Sequence, residues 1–256
     1  MMLDTNAYLA RIHWQGPLSP DLSTLRALIK AHVYTVPFEN LNSHYGIETS
    51  LDTDTLFRKI VLKRRGGFCY ELNGLFAVLL QELGYKVKLL SAKVARSEGG
   101  FGPEFDHLTL CVDLEQNWLV DVGFGDSFLA PLLWDSFDPQ NVGDEYFKLV
   151  DTNGRRELFR KRRAQDWMPC YTVSPIEREF SEFFEMCRFH ASSNQSPFSK
   201  HKIVRMEKKD GRLSALDGIL KIISFTEADS ERHFNDGEYL LMLKEYFGIE
   251  LDQLEN

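Results

Sequence analysis

Cysteine is scarce in this 256-residue chain: Cys69, Cys111, Cys170 and Cys187 are the only four, with no Cys-x-x-Cys pair. That spacing is neither a disulfide framework nor a zinc ligand set, so no metal is expected. Long apolar runs are missing as well. No stretch reaches the roughly 18 residues that a membrane-crossing helix needs, and the N-terminus has no basic-then-apolar signal pattern. The expectation is a cytoplasmic protein with no membrane partner. Positive charge is in deficit, with 30 Lys and Arg against 38 Asp and Glu and a net charge of −8, which argues against nonspecific nucleic-acid binding. There is no low-complexity tract, and 43% hydrophobic with 27% charged residues describes a folded globular protein. Its length suits one large domain or two to three small ones.

Of the four cysteines, Cys69 alone has a distinctive setting, the run Arg64-Arg65-Gly66-Gly67-Phe68-Cys69-Tyr70-Glu71-Leu72-Asn73-Gly74. Leu72, Leu75, Phe76, Leu79, Leu80 and Leu83 follow at the three-and-four spacing of one helix face, and Gly84 is a stop signal. A helix therefore begins at or just after the cysteine. Unpaired N–H groups and the positive end of the helix dipole favour thiolate there. The two glycines permit close backbone approach, and the two arginines make the neighbourhood electropositive. The setting fits a nucleophile. The alternative is a buried inert cysteine, the reading given to Cys111, Cys170 and Cys187.

A thiolate nucleophile needs a proton partner, and the partner needs an orienting group. His107 opens a run in which Leu108, Leu110, Val112 and Leu114 alternate with polar or small residues, the pattern of a half-buried strand. A second strand, 117–122, runs into Gly123-Phe124-Gly125. If Leu114, Glu115 and Gln116 form the loop of a hairpin, Asp113 opposes Asn117 and Asp121 opposes Thr109, on the face of His107. The carboxylate is then diagonal to the imidazole, with Cα atoms about 7–8 Å apart and within side-chain reach. A two-residue loop would put Asp121 on the wrong face.

The residues at these positions resemble the arylamine N-acetyltransferases. Arg65-Gly66-Gly67-Phe68-Cys69-Tyr70-Glu71 is similar to that family's nucleophile signature, His107-Leu108-Thr109-Leu110 to its histidine strand, and Val120-Asp121-Val122-Gly123-Phe124-Gly125 to its aspartate segment. Pro37-Phe38-Glu39-Asn40-Leu41 and the weaker Ser196-Pro197-Phe198 are further landmarks, and the resemblance extends over roughly residues 1–200. It implies a Cys69-His107-Asp121 triad and ping-pong acetyl transfer from acetyl-CoA to an arylamine, hydrazine or N-hydroxyarylamine through an acetyl-Cys69 thioester. Acetyl-CoA is then a co-substrate, with no tightly bound cofactor. Backbone N–H groups from Gly123 through Phe124 and Gly125 to Asp126 would receive a CoA phosphate, and Phe68 and Phe124 would line an aromatic substrate pocket. The rival reading is a cysteine peptidase or transglutaminase-type enzyme with the same triad. A third is a binding module without catalysis.

Periodicity organises the chain in three parts. Ser19-Pro20-Asp21 starts a helix along Leu22, Leu25, Leu28, Ile29 and Val33, with Pro20 in its first position, and another helix runs from about Asp54. These and the nucleophile helix should pack as a bundle. From Tyr85 the period is two: a strand over 85–95, the triad hairpin, strands flanking Asn153-Gly154 and one at 171–173 predict an antiparallel sheet or barrel. Residues 175–190 read as helix, 201–207 and 213–223 as strands across Asp210-Gly211, and 237–247 as a closing helix. The fold class is α+β, and the resemblance implies a helical bundle (1–84), a β-barrel (85–190) and an α/β lid (191–256) around a cysteine-protease-like Cys-His-Asp core. Glu39 is a candidate partner for Arg64, and His190, His201 and His233 read as surface residues. Lys200, Lys202, Arg205, Lys208 and Lys209 form a basic cluster that is either a solvated strand face or a second contact for CoA phosphates.

Overall fold

The three helices expected in the first 84 residues form, and two short ones, over 5–11 and 41–44, are added. The computed structural model describes residues 3–125, 128–162 and 165–251. Helices α1 (Thr5–Arg11), α2 (Leu22–Val33), α3 (Leu41–His44), α4 (Thr53–Phe57, continued as a π turn over Arg58–Leu62) and α5 (Cys69–Glu82) follow in order. Asp21 opens α2 as its N-cap, accepting from the Thr24 N–H at 2.8 Å, so Pro20 lies just outside the helix and not in its first position. Helix α5 begins on Cys69 itself, and Gly84 follows it with φ +89°. The apolar faces of α1, α2 and α5 share one core with Leu108, Leu110, Val112 and Val120 of the following sheet. His32 is enclosed in that core, its Nδ1 2.9 Å from the Tyr8 hydroxyl and its ring edge-on to Phe76.

Strand β1 (Phe38–Glu39) leaves the helices to join the third layer. The next eight strands make one antiparallel sheet: β2 (Lys86–Val94), β3 (His107–Asp113), β4 (Asn117–Val120), β5 (Leu132–Leu133), β6 (Gln140–Val142), β7 (Glu145–Thr152), β8 (Arg155–Arg162) and β9 (Met168–Arg178). Their order is β5-β4-β3-β2-β9-β8-β7-β6. The sheet curls until its edges nearly meet, and the Gln140 side chain bridges the gap, accepting from Leu133 N–H at 2.7 Å and donating to Leu133 C=O at 3.0 Å. In the β3–β4 hairpin Asp113 opposes Asn117 and Leu110 opposes Val120, the three-residue-loop register. The other face of the sheet encloses a second core around Leu90, Leu119, Phe147, Leu158 and Tyr171.

The third layer is a sheet of order β1-β10-β11-β12-β13, with β10 (Ile203–Lys208), β11 (Gly211–Leu216), β12 (Ile219–Ser224) and β13 (Ser230–His233). Between barrel and sheet lie α6 (Phe184–Ser192) and α7 (Pro197–Lys200), and α8 (Asp236–Phe247) closes the chain. Two elements differ from expectation. Residues 175–178 extend β9 instead of starting a helix, because Pro175 falls in a bulge between the Ala92–Val173 and Leu90–Glu177 pairs, where no ladder N–H is required. The single strand expected over 213–223 is two strands, broken by a turn at Asp217 (φ +48°) and Gly218 (φ +86°). Strand β1 ties the layers together: Asn40, just after it, donates to the Phe198 and His201 carbonyls at 2.6 and 2.8 Å and accepts from Ile203 N–H at 2.8 Å. We keep 1–84, 85–190 and 191–256 as a proposed division. Among the described residues no helix is long and apolar enough to cross a membrane.

Burial, aided by the nearby Arg11 cation, pulls His32 from 6.5 down to about 3. Between those values the unfolded chain binds a proton that the folded chain does not, so stability falls as pH drops from about 6.5 toward 3. His32→Gln should therefore flatten the acid limb of the stability curve by up to about 1.4 kcal/mol per pH unit. Urea unfolding of both proteins from pH 7 to pH 4 measures that slope, and parallel curves would contradict it.

Candidate active site

Two glycine-dependent approaches bring the site together. The loop before α5 passes so close to the Pro37 carbonyl that a Cβ on Gly66 would lie 1.9 Å from its oxygen. Gly123 faces the start of α5, where its Cβ would lie 2.8 Å from the Cys69 Cα. Cys69 thus occupies the first turn of α5, and the end of the β3–β4 hairpin is pressed against it. His107 Nε2 is 2.6 Å from Asp121 Oδ2, and the imidazole also hydrogen-bonds the Cys69 thiol. Cys69 is 5% exposed, His107 2% and Asp121 0%. The carboxylate also accepts from Tyr171 Oη at 3.1 Å on Oδ2, and from Asn73 Nδ2 at 2.8 Å and Gly123 N–H at 3.0 Å on Oδ1.

The charges differ from those expected for Cys69. Burial pushes its thiol up, opposed by His107 and the Leu108 N–H. The arginines do not serve it: Arg65 turns to Glu39 at 2.8 Å and Asn42 at 3.0 Å, and Arg64 is exposed with φ +53°. Glu39 therefore pairs with Arg65 and Lys59, not with Arg64, and those two cations hold its carboxyl below its usual range despite burial. For His107, burial works against the cation, but Asp121 and Cys69 together push it up to about 10. Its imidazolium contributes stability that is complete below 6.5 and lost as pH rises through about 10. Cys69 and His107 act on each other's protonation, so the two groups titrate as one unit.

The remaining expected residues are placed as follows. Phe124 lies edge-on to His107, with ring centroids 5.2 Å apart, and 5.0 Å from the Tyr171 ring. Phe68 is buried against Tyr70 and Phe198. Gly123 cannot offer its N–H to a phosphate, because Asp121 takes it. Gly125 adopts φ +77° over the Phe38 ring, and Asp126 lies outside the described residues. The basic cluster does not converge: the Lys202 ammonium sits over the Tyr45 and Tyr239 rings, while Lys200 and Lys209 are exposed. His201 and His233 are exposed, but His190 is buried. Burial pushes the Cys111 thiol up to about 11 and the Cys187 thiol higher still. Among the described residues no cluster of three or more His, Cys, Asp or Glu side chains could hold a metal.

The model of the N-acetyltransferase family matches residues 21–255. The chain belongs to the arylamine N-acetyltransferase family. Escherichia coli (strain K12) arylamine N-acetyltransferase is 32% identical over 255 residues, 98% of this chain and 90% of the relative. The solved Salmonella typhimurium arylamine N-acetyltransferase superposes with a TM-score of 0.93 at 28% identity, covering 100% of this chain and 95% of that one. The Mycobacterium marinum arylamine N-acetyltransferase solved in complex with CoA gives 0.89 at 29% identity, covering 96% and 93%. The likeness to this acyltransferase family therefore runs well past residue 200, where the motifs legible in the sequence end.

In this family member two residues to which the sequence assigned no role complete the site. Asn73, one helical turn after Cys69, donates to Leu108 C=O (2.7 Å) and Asp121 and accepts from Val122 N–H (2.9 Å), pinning α5 to both hairpin strands. Its signal was a polar side chain between Leu72 and Leu75 on the leucine-rich part of the helix. Tyr171 reaches Asp121 from β9, and no local pattern marks it. The geometry predicts that Asp121→Asn, which turns one of the two acceptor oxygens into an NH2 group facing two donors, lowers both stability and Cys69 reactivity. At pH 7, iodoacetamide should alkylate Cys69 at least about tenfold more slowly in that variant. An unchanged rate in folded protein, read by peptide mass mapping, would contradict the coupling of Cys69 to Asp121 through His107.

Proposed function

We propose that this chain moves an acetyl group from acetyl-CoA to the nitrogen of an arylamine, hydrazine or N-hydroxyarylamine through an acetyl-Cys69 thioester. The observation that carries the reading is the buried relay from Cys69 to His107 to Asp121 at the first turn of α5. Cys69 Sγ attacks the acetyl thioester carbonyl, a new S–C bond forms, and the bond to the CoA sulfur breaks. The departing thiolate takes the proton held on His107. Since one thioester replaces another, this first step is close to balanced.

In the second half-reaction the amine nitrogen attacks the acetyl carbon, His107 takes the nitrogen's proton, and Cys69 leaves as thiolate. Asp121 fixes the imidazole tautomer and supports the imidazolium without taking the proton. At the start of α5 the Phe68 N–H is taken by the Glu71 carboxylate, and those of Glu71 and Leu72 by the Phe68 carbonyl. Phe68 and Phe124, with Phe38 and Phe198 nearby, supply ring surfaces suited to an aromatic acceptor, and the Phe124-Gly125 turn is our candidate contact for CoA. A peptidase or transglutaminase-type reading draws support from the triad alone, whereas acetyl transfer also draws on the family.

A covalent intermediate dictates the kinetics. Initial rates against acetyl-CoA at several fixed 4-methoxyaniline concentrations should give parallel double-reciprocal lines. Lines that intersect would mean direct attack within a ternary complex, leaving Cys69 without its role.

A further inference from the structure

A second histidine-centred relay lies beside the first. His190, on α6, is 6% exposed, and its Nε2 is 3.0 Å from Asp106 Oδ1 while its Nδ1 is 3.1 Å from Ser196 Oγ. Asp106 immediately precedes His107, and its second oxygen accepts from Val94 N–H at 3.2 Å. Ser196 Oγ already accepts the Phe198 N–H at 3.2 Å. An ionised aspartate only accepts, so Nε2 donates to it, and Nδ1 then accepts the Ser196 hydroxyl proton. The donors run one way, from the Phe198 amide through Ser196 and His190 to Asp106.

This is the residue set of a serine hydrolase in a place where it cannot act as one. Ser196 has no exposure, and its oxygen is occupied by the Phe198 amide. What the relay does is join the barrel to the turn that carries Phe198. The His190 ring stacks on Tyr70, the residue after Cys69, and meets the Phe198 ring edge-on at 5.4 Å. Tyr70 in turn donates to the Phe105 carbonyl at 2.7 Å. The Phe198 ring stands 6.1 Å from both Phe38 and Phe68, the residue before the nucleophile, and its carbonyl is gripped by Asn40.

We propose that His190 is a positioning residue for the acceptor half-reaction: through Ser196 it locks the Phe198 ring as one wall of the pocket that receives an aromatic amine beside Cys69. The inference rests on the proposed acetyl transfer and extends it to acceptor selection. Acylation by the donor takes place at Cys69 and His107 and does not need this wall. Nor does an acceptor without a ring.

The test separates the two half-reactions in wild type and in His190→Leu, Ser196→Ala and His190→Gln. The first two variants cut the relay at different points, and the Ser196 variant keeps the His190–Asp106 pair should loss of the imidazole prevent folding. The glutamine amide can accept from Ser196 and donate to Asp106. Acetyl-enzyme is formed with acetyl-CoA, then discharged by 4-methoxyaniline or by hydrazine. For the two cutting variants, 4-methoxyaniline discharge should weaken at least about tenfold through a raised half-saturating concentration, the scale of a lost pocket contact. Hydrazine discharge and the acylation rate should stay within about threefold of wild type, and His190→Gln should recover most of the loss. Unchanged 4-methoxyaniline discharge in a folded variant, or equal losses with both acceptors, would overturn the proposal. If the wild-type protein forms no acetyl-enzyme, acetyl transfer through Cys69 itself fails and the proposal falls with it, a result distinct from a wild type that acylates normally while the variants discriminate no differently.

Discussion

Asp121 is a carboxylate with no exposure, set where α5, β3 and β4 converge, and the site exists because four donors reach it there. A buried charge of this kind is stable only when its lone pairs are filled, and removing one partner typically costs several kcal/mol. The four donors come from separate stretches: Asn73 from α5, His107 from β3, Gly123 from the turn after β4, and Tyr171 from β9. Satisfying one anion therefore fixes the nucleophile helix, the hairpin and the far barrel strand in a single arrangement. The hairpin register follows from the same constraint, since a one-residue slip would carry Asp121 away from Asn73, His107 and Tyr171.

A second buried network holds the approach to Cys69. Glu71 accepts the Phe68 N–H at 3.1 Å, half of a capping box at the start of α5, and its other oxygen takes the Lys59 ammonium at 2.7 Å. Burial pushes Glu71 up, and the shared Lys59 holds that shift in check while also serving Glu39. Glu39 accepts the Leu41 N–H at 2.7 Å and lies on β1, whose partner is β10 of the third layer. The loop that delivers the nucleophile is thus held by ion pairs reaching from the π turn to the outer sheet. Buried pairs of this sort are better evidence for a unique geometry than for added stability.

Much of this was legible in the sequence where a local pattern decides the structure. Helix α5 and its first residue follow from leucine spacing and flanking glycines, and the triad hairpin follows from parity and loop length. The family's motifs supplied what patterns could not, namely that Cys69, His107 and Asp121 belong together. The misses are of another kind. Glu39 was matched to the wrong arginine because two adjacent arginines are indistinguishable until the positive φ at Arg64 turns one of them outward. His190 was read as a surface residue since nothing near it in sequence announces Asp106, more than eighty residues upstream. The thiol's environment was misjudged for the same reason: burial is a tertiary quantity, and it outweighs the local helix terminus and arginines. Strand β1, two residues long, takes its identity from pairing with β10 and from a bridge to Gly67.

The central claim is that Cys69 is the acetyl carrier. It is tested most directly by intact-mass measurement after incubation with acetyl-CoA in the absence of any amine, followed by peptide mapping. The account predicts the gain of one acetyl group, located on Cys69 and lost when 4-methoxyaniline is added. An unchanged mass, or an acetyl group on another residue that the amine does not remove, would contradict it.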